Sequence, residues 1–459
     1  MNEPDVGAAC GNRSRGRPAA SRFVRRPLET FSAVCRRPAM RAAACIVSAW
    51  SCLILLIVAG KLPAGFAAEP AADAVSPGAT GESPAARAAE TSPATVGPKP
   101  KPVPPRDAAA IDRSIRQGVE FLLARQNKDG SWGSARSARA MEVLAPVPGA
   151  HHAFHAAVTS LCVSALIEAG GPSPEVASAI DRGEAWLVEH LPRVRRATPE
   201  VFYNTWTHAY SIQALVRLYR RHEGDPGRQA RLKELIAEQI DLLDRYEVVD
   251  GGWAYYDFKA HTKKPSGSSI GFVTATVLIA LKEAEQIGCH VPPRLVERGM
   301  ASIRRQRKVD FTYCYGEYLK LQPMHPVNRP GGSLGRSQVC NLAMRLWGDA
   351  EVTDQIVDAW LDRLFARNLW LDMGRKRPIP HESWFAVAGY FFYYGHYYAA
   401  MCIELLPPGA RGRHYDQLAD VLLPLQEKDG SWWDFPLYDY HQQYGTAFAL
   451  MALERCRPH

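Results

Sequence analysis

Three groups of residues in this chain set titratable side chains beside aromatic ones, and each could move a proton. Asp439 and His441 stand two apart in Tyr438-Asp439-Tyr440-His441-Gln442-Gln443-Tyr444. Glu317 follows Tyr313 and Tyr315, and Asp257 precedes His261 by four residues. A carboxyl or imidazole held among apolar rings loses solvation. Its proton affinity then moves, which suits it to general acid or base work. Asp439, His441 and Glu317 are the candidate catalytic residues; the same side chains could equally cap helices or face solvent.

A second set could hold a ligand. Aromatic and histidine residues crowd into His151-His152-Ala153-Phe154-His155, Tyr203-Asn204-Thr205-Trp206-Thr207-His208 and Tyr390 to Tyr398. Ring faces bind flat or apolar molecules and stabilise cations. Tyr203, Trp206, His208, Tyr394, His396 and Tyr444 are the candidate cavity residues. Many such rings could instead pack between helices. No metal site is expected. Cys340 with His396 or His441 supplies two ligand types, whereas catalytic zinc takes three protein ligands. No cofactor follows from the sequence. The six cysteines after residue 67 are scattered without a CxxC pair and read as buried free thiols.

The elements that must position these residues are helices joined by a recurring turn. Gln126-Asn127-Lys128-Asp129-Gly130-Ser131-Trp132 and Gln426-Glu427-Lys428-Asp429-Gly430-Ser431-Trp432 are near copies, and Asp250-Gly251-Gly252-Trp253 is a degenerate third. In each, Gly ends a helix by taking positive φ, and Trp follows as an apolar anchor. Between the turns the pattern is helical from Ala109 onward. Six segments align on Ala165, Ala214, Ala280, Ala343, Ala400 and Ala452, with Thr159, His208, Thr274, Ser337, Tyr394 and Thr446 six residues earlier. They are apolar or small on most faces and should be surrounded by protein.

Six others alternate with them and are amphipathic: residues 111–125, 175–191, 229–246, 293–307, 352–366 and 413–426. Six buried and six half-exposed helices predict an all-α (α/α)6 barrel, or toroid, with the buried set inside. The last inner helix closes against the first outer one. The alternative is an open solenoid of helical hairpins.

These turns resemble the QW repeat of squalene–hopene and oxidosqualene cyclases, and the inner helices resemble the prenyltransferase/squalene-oxidase repeat. The resemblance covers most of residues 109–459. It implies that Gln126, Asp129, Gly130, Trp132, Gln426, Asp429, Gly430 and Trp432 brace outer helices and take no part in chemistry. It also implies an apolar, isoprenoid-type ligand within an aromatic wall. The acid motif Asp-x-Asp-Asp, the magnesium motif Asp-Asp-x-x-Asp and the complete zinc set of this family are missing. In Gly335-Arg336-Ser337-Gln338-Val339-Cys340 the Gly-Arg and the Cys match, but no Asp stands two residues before the Cys.

The chain carries a net charge of +8, but residues 1–67 hold ten basic against three acidic side chains. The remainder is close to neutral, which gives no basis for a nucleic-acid surface. Within that leader, Ala42 to Ala59 is an uncharged apolar run after Arg36, Arg37 and Arg41. It reads as a signal peptide ending near Ala67 or as a retained membrane anchor, with Met1 or Met40 as the start. Residues 68–108 are rich in Ala and Pro and read as a disordered tether. The expected protein is an exported, extracytoplasmic toroid of residues 109–459 whose partner is an apolar small molecule. A binding or scaffold toroid for a partner protein, peptide or polysaccharide is the alternative, and a toroidal enzyme acting on polysaccharide is a third reading.

Overall fold

A computed structural model describes residues 92–138, 147–257, 262–377, 386 and 388–458. The leader with its apolar run, the first part of the tether and His261 lie outside the described residues.

Twelve helices of thirteen residues or more alternate between two layers among the described residues. The outer set is α1 (Ala108–Ala124), α3 (Pro174–His190), α5 (Pro226–Tyr246), α7 (Pro293–Gln306), α9 (Asp354–Ala366) and α11 (Pro408–Leu422). The inner set is α2 (Pro148–Ala169), α4 (Asn204–Arg221), α6 (Gly271–Gln286), α8 (Pro330–Leu346), α10 (Phe392–Leu405) and α12 (His441–Arg455). A short helix, Asn368–Asp372, follows α9. Many starts are set by sequence. Proline opens α2, α3, α5, α7, α8 and α11, where a missing N–H costs nothing. The side chains of Asp107, Ser173, Asp225 and Thr353 accept bonds from the first-turn N–H groups of α1, α3, α5 and α9.

The inner helices pack in chain order, α2 on α4, α4 on α6, α6 on α8, α8 on α10 and α10 on α12, and α12 returns to α2. The ring is closed and the predicted toroid is the fold. Alpha-2 is apolar enough to cross a membrane by length and composition, but it is a core helix. The six cysteines of the body are unpaired; five are buried and Cys289 is half-buried.

The Trp turns tie the layers together. Trp132 and Trp432 are fully buried, and each indole N–H donates back to a helix carbonyl, Leu122 O at 2.7 Å and Leu422 O at 3.0 Å. Each Trp backbone N–H donates to a threonine of an inner helix, Thr159 at 3.1 Å and Thr446 at 3.0 Å. These are the threonines that recur six residues before the aligned alanines. Trp253 repeats both contacts, with Leu243 O at 2.8 Å and Thr274 at 2.9 Å. Asp129 and Asp429 accept from the N–H and hydroxyl of Ser131 and Ser431, which fixes the turn.

Two features go beyond the sequence reading. A fourth turn, Arg307 to Tyr313, has the same Asp310–Thr312 bonding, but Phe311 takes φ 60 where other copies have glycine. Residues 92–107, read above as the end of a disordered tether, form a strap across α9 and α11 that opens with a turn at 93–95 and runs on without regular structure. Proline-rich backbone has few internal partners, so side chains of the toroid supply them. Arg363 donates to Pro93 O and Val96 O, both at 2.6 Å, and Gln417 donates to Lys101 O at 2.5 Å. Lys99 pairs with Asp362 at 2.6 Å and Arg106 with Asp416 at 2.8 Å.

Candidate functional site: an aromatic cavity at the mouth of the ring

A cavity of about 890 Å³ opens where the N-terminal ends of the inner helices meet the loops that precede them. That volume lies in the range of small-molecule sites. Eleven aromatic rings line it, including Phe154 of α2, Trp206 of α4, Phe272 of α6 and Tyr444 of α12. Their position follows from the fold, since these four inner helices offer their first turns to the centre. The loops add Tyr255, Tyr256, Tyr315 and Tyr390. Among the described residues no Asp, Glu, Lys or Arg lines the cavity.

The tyrosine hydroxyls are largely used within the wall. Tyr203 and Tyr256 share a hydrogen bond at 2.6 Å, and Tyr255 bonds Tyr315. Burial pushes the phenols of Tyr203, Tyr255 and Tyr256 above their ordinary range, so they stay neutral. Pairing the hydroxyls with one another leaves the rings, rather than free polar groups, to line the space. The wall is therefore apolar in character although it is rich in tyrosine.

Two ionisable groups stand just behind the wall. Asp434 is fully buried beside the lining residue Phe435. Its carboxyl accepts from Tyr444 Oη at 2.6 Å and from Tyr393 N at 3.2 Å. Burial outweighs these bonds and pushes its pKa up to about 7. It can hold or release a proton near neutrality, and Tyr444 connects it to the cavity. Arg336 of α8 is 1% exposed. Its guanidinium lies 5.2 Å from the Tyr315 ring, 5.2 Å from Phe391 and 5.9 Å from Phe272. It donates to Val327 O at 2.5 Å and to Gly332 O, while Nε has no partner. No carboxylate pairs with it among the described residues. Burial lowers its pKa.

The structure distributes the sequence-predicted residues unevenly. Tyr203, Trp206 and Tyr444 line the cavity. Tyr394 packs behind it, 6.2 Å from both Trp206 and Phe272, with its hydroxyl donating to Phe272 O at 3.1 Å. His208 and His396 do not face it. His208 bonds Gln239 of α5 at 2.7 Å and stacks on Tyr246, and His396 bonds Asn368 at 2.9 Å. Both sit between layers, and burial lowers each to about 4.

The three candidate catalytic residues are outside the lining. Asp439 accepts from Ser134 Oγ at 3.0 Å. His441 bonds Tyr438 O at 2.7 Å and meets the Trp433 ring, and burial lowers its pKa. Glu317 stands next to the lining residue Tyr318, but its carboxylate is bound by Arg305 at 2.6 and 2.9 Å and Lys320 at 3.1 Å. Burial pushes it up, yet these cations outweigh burial and hold it low. Asp257 is buried 3.6 Å from Arg196. Cys340 is fully buried in α8, and burial pushes its thiol up.

The fold and the cavity together define an α/α toroid with an aromatic mouth. No family model and no curated relative matches the chain. Among solved structures, similar folds include a type II terpene cyclase from Scytonema, with TM-score 0.43 and 15% identity over 77% of this chain and 99% of that one. An α-1,6-mannanase from Salegentibacter has TM-score 0.46 and 11% identity over 76% and 98% of the two chains. A D-mannose isomerase has TM-score 0.48 and 10% identity over 76% and 96%.

Proposed function

We propose that this toroid binds an apolar, isoprenoid-type small molecule in the aromatic cavity, outside the cytoplasm. The observation that carries the reading is the wall itself: eleven rings, with no charged side chain among the described lining residues. Burying apolar ligand surface against such a wall contributes about 25 cal/mol per Å². Sugars also stack on rings, but their hydroxyls need polar partners. Here the phenols of Tyr203, Tyr255, Tyr256 and Tyr315 are already paired with each other.

If the protein is an enzyme, the group best placed to move a proton is Asp434 through Tyr444. Its folded pKa of about 7 leaves the carboxyl partly protonated at neutrality, which fits a proton donor in an apolar site. The test of the binding reading is a fluorescence titration with a long-chain isoprenoid alcohol and, in parallel, a mannose oligosaccharide. Saturable quenching by the isoprenoid, weakened roughly tenfold in Trp206→Ala, supports it. Saturation by the oligosaccharide alone refutes it.

A further inference from the structure

The polar atoms of the cavity wall are not all used within it. Tyr203 pairs with Tyr256, Tyr255 with Tyr315, and Tyr444 with Asp434. Three other lining residues each keep a polar atom without a partner among the described residues: Ser268 Oγ, Tyr318 Oη and His325 Nε2. They belong to two adjoining loops. Glu317 N donates to Ser269 O at 2.9 Å, and Ser269 Oγ donates to Glu317 Oε2 at 3.2 Å, so the loop of Ser268 runs beside that of Tyr318. The Tyr318 ring lies back over Gly316, where a Cβ would stand 2.5 Å from the ring and 3.4 Å from Ser269 O. Asn328 then closes residues 315–328, with His325 among them, on themselves. It accepts from Tyr315 N at 2.8 Å and donates to Leu319 O at 3.2 Å and Gln322 O at 3.0 Å.

All three free atoms can donate. The two hydroxyls carry a proton. His325 Nδ1 accepts from Val327 N at 3.3 Å, so the neutral ring holds its proton on Nε2. Burial pushes the Tyr318 phenol up to about 12, against the opposing charge of Arg336, and it stays protonated. Behind these loops lies Arg336 itself. It donates to Val327 O at 2.5 Å, two residues past His325, and its guanidinium is 5.2 Å from the Tyr315 ring. It is buried without a carboxylate partner among the described residues, and its Nε is unbonded. The neighbouring carboxylate, Glu317, is already neutralised by Arg305 and Lys320. A buried cation without a counter-ion draws negative charge toward the nearest open space.

We propose that the ligand carries a carboxylate at one end, received by Ser268, Tyr318 and His325 and attracted by Arg336, with its apolar chain inside the aromatic wall. This rests on the apolar-ligand reading for the chain and adds the head group. A plain hydrocarbon would cover the three donors and leave them without partners. A diphosphate would bring several negative charges to a mouth that has no Lys or Arg among its described lining residues.

The test is calorimetric titration of the full chain with four isoprenoids of one chain length, namely the carboxylic acid, the alcohol, the hydrocarbon and the diphosphate, and with a straight-chain fatty acid. At a pH where the acid is ionised it should bind about tenfold more tightly than the alcohol, with the hydrocarbon weaker still. Ser268→Ala combined with His325→Ala should weaken the acid roughly tenfold and leave the hydrocarbon unchanged. Ser268 is half-buried and His325 exposed, so the fold survives both changes. Arg336→Met should erase the preference for acid over alcohol, and Arg336→Lys should keep it. Equal binding of acid and hydrocarbon overturns the proposal and leaves the apolar-ligand reading in place. A diphosphate that binds more tightly than the acid overturns it as well. A fatty acid that binds where no isoprenoid does retains the carboxylate head and removes the isoprenoid reading. Absence of binding by all five removes both.

Discussion

Gln426 at the end of the last outer helix donates its side-chain amide to Ser114 O of α1 at 2.9 Å, across 312 residues of sequence. The same amide bonds Gly430 O at 3.0 Å. Gln126 does the equivalent for α3, reaching Ala179 O at 2.8 Å. One side chain thus fixes its own turn and the next outer helix, and at Gln426 that next helix is the first of the chain. Gln426→Ala should cost about 1–2 kcal/mol in urea unfolding, the worth of two part-buried bonds and the carbonyls they leave without a donor. The two glutamines are in separate turns and share no partner, so Gln126→Ala combined with Gln426→Ala should give nearly additive losses.

Glycine at the turn answers two demands at once. Gly430 has φ 86, and a Cβ there would lie 2.4 Å from Gln117 O of α1. Gly171 has φ 66 but open space around it. Gly171→Ala should therefore cost only about 1 kcal/mol of backbone strain. Gly430→Ala must also push α1 outward and should cost clearly more, about 3 kcal/mol or above. Parallel thermal unfolding of the two variants checks this difference.

Asp434 sets a pH dependence with a definite sign. Its folded pKa is about 7, against 3.8 for the free side chain. Below pH 4 both folded and unfolded states hold the proton and the group is neutral to stability. As pH rises toward 7 the unfolded chain loses the proton and the folded one retains it, so stability falls, by roughly 4 kcal/mol in the limit. Above pH 7 the effect levels off. The stability of Asp434→Asn relative to the parent should rise between pH 4 and 7 and then stay flat. Denaturant midpoints across that range measure it.

Arg336 carries a buried charge that holds the cavity loop to α8 through Val327 O. Arg336→Met removes that bond and the one to Gly332 O but also removes a costly buried cation. Global stability should change by less than about 2 kcal/mol, because the two effects oppose each other. Ligand affinity should fall, because Tyr315 and Phe272 lose the group that packs against them. Calorimetric titration beside thermal unfolding separates the two outcomes.

The helices, the Trp turns and the closure were legible because they repeat. Thr159, Thr274 and Thr446 recur six residues before the aligned alanines for a physical reason, namely the bond each accepts from a Trp N–H. The site was less legible. Of the candidate residues near helix starts, Tyr203, Trp206 and Tyr444 line the cavity, whereas His208 and His396 do not. A helix start exposes several faces, and theirs turn toward α5 and the short helix. Asp434 carries no spacing signal at all. It sits between Trp433 and Phe435, and only the fold shows that its carboxyl meets Tyr444. The strap was misread because its composition cannot form a core, while its carbonyls find donors on Arg363 and Gln417.

The most direct test is native mass spectrometry of the full chain purified with export intact, followed by organic extraction. The account predicts a co-purifying apolar molecule of isoprenoid type that is lost or reduced in Trp206→Ala. Protein that carries only peptide or sugar, or that neither retains nor takes up an added isoprenoid, would contradict it.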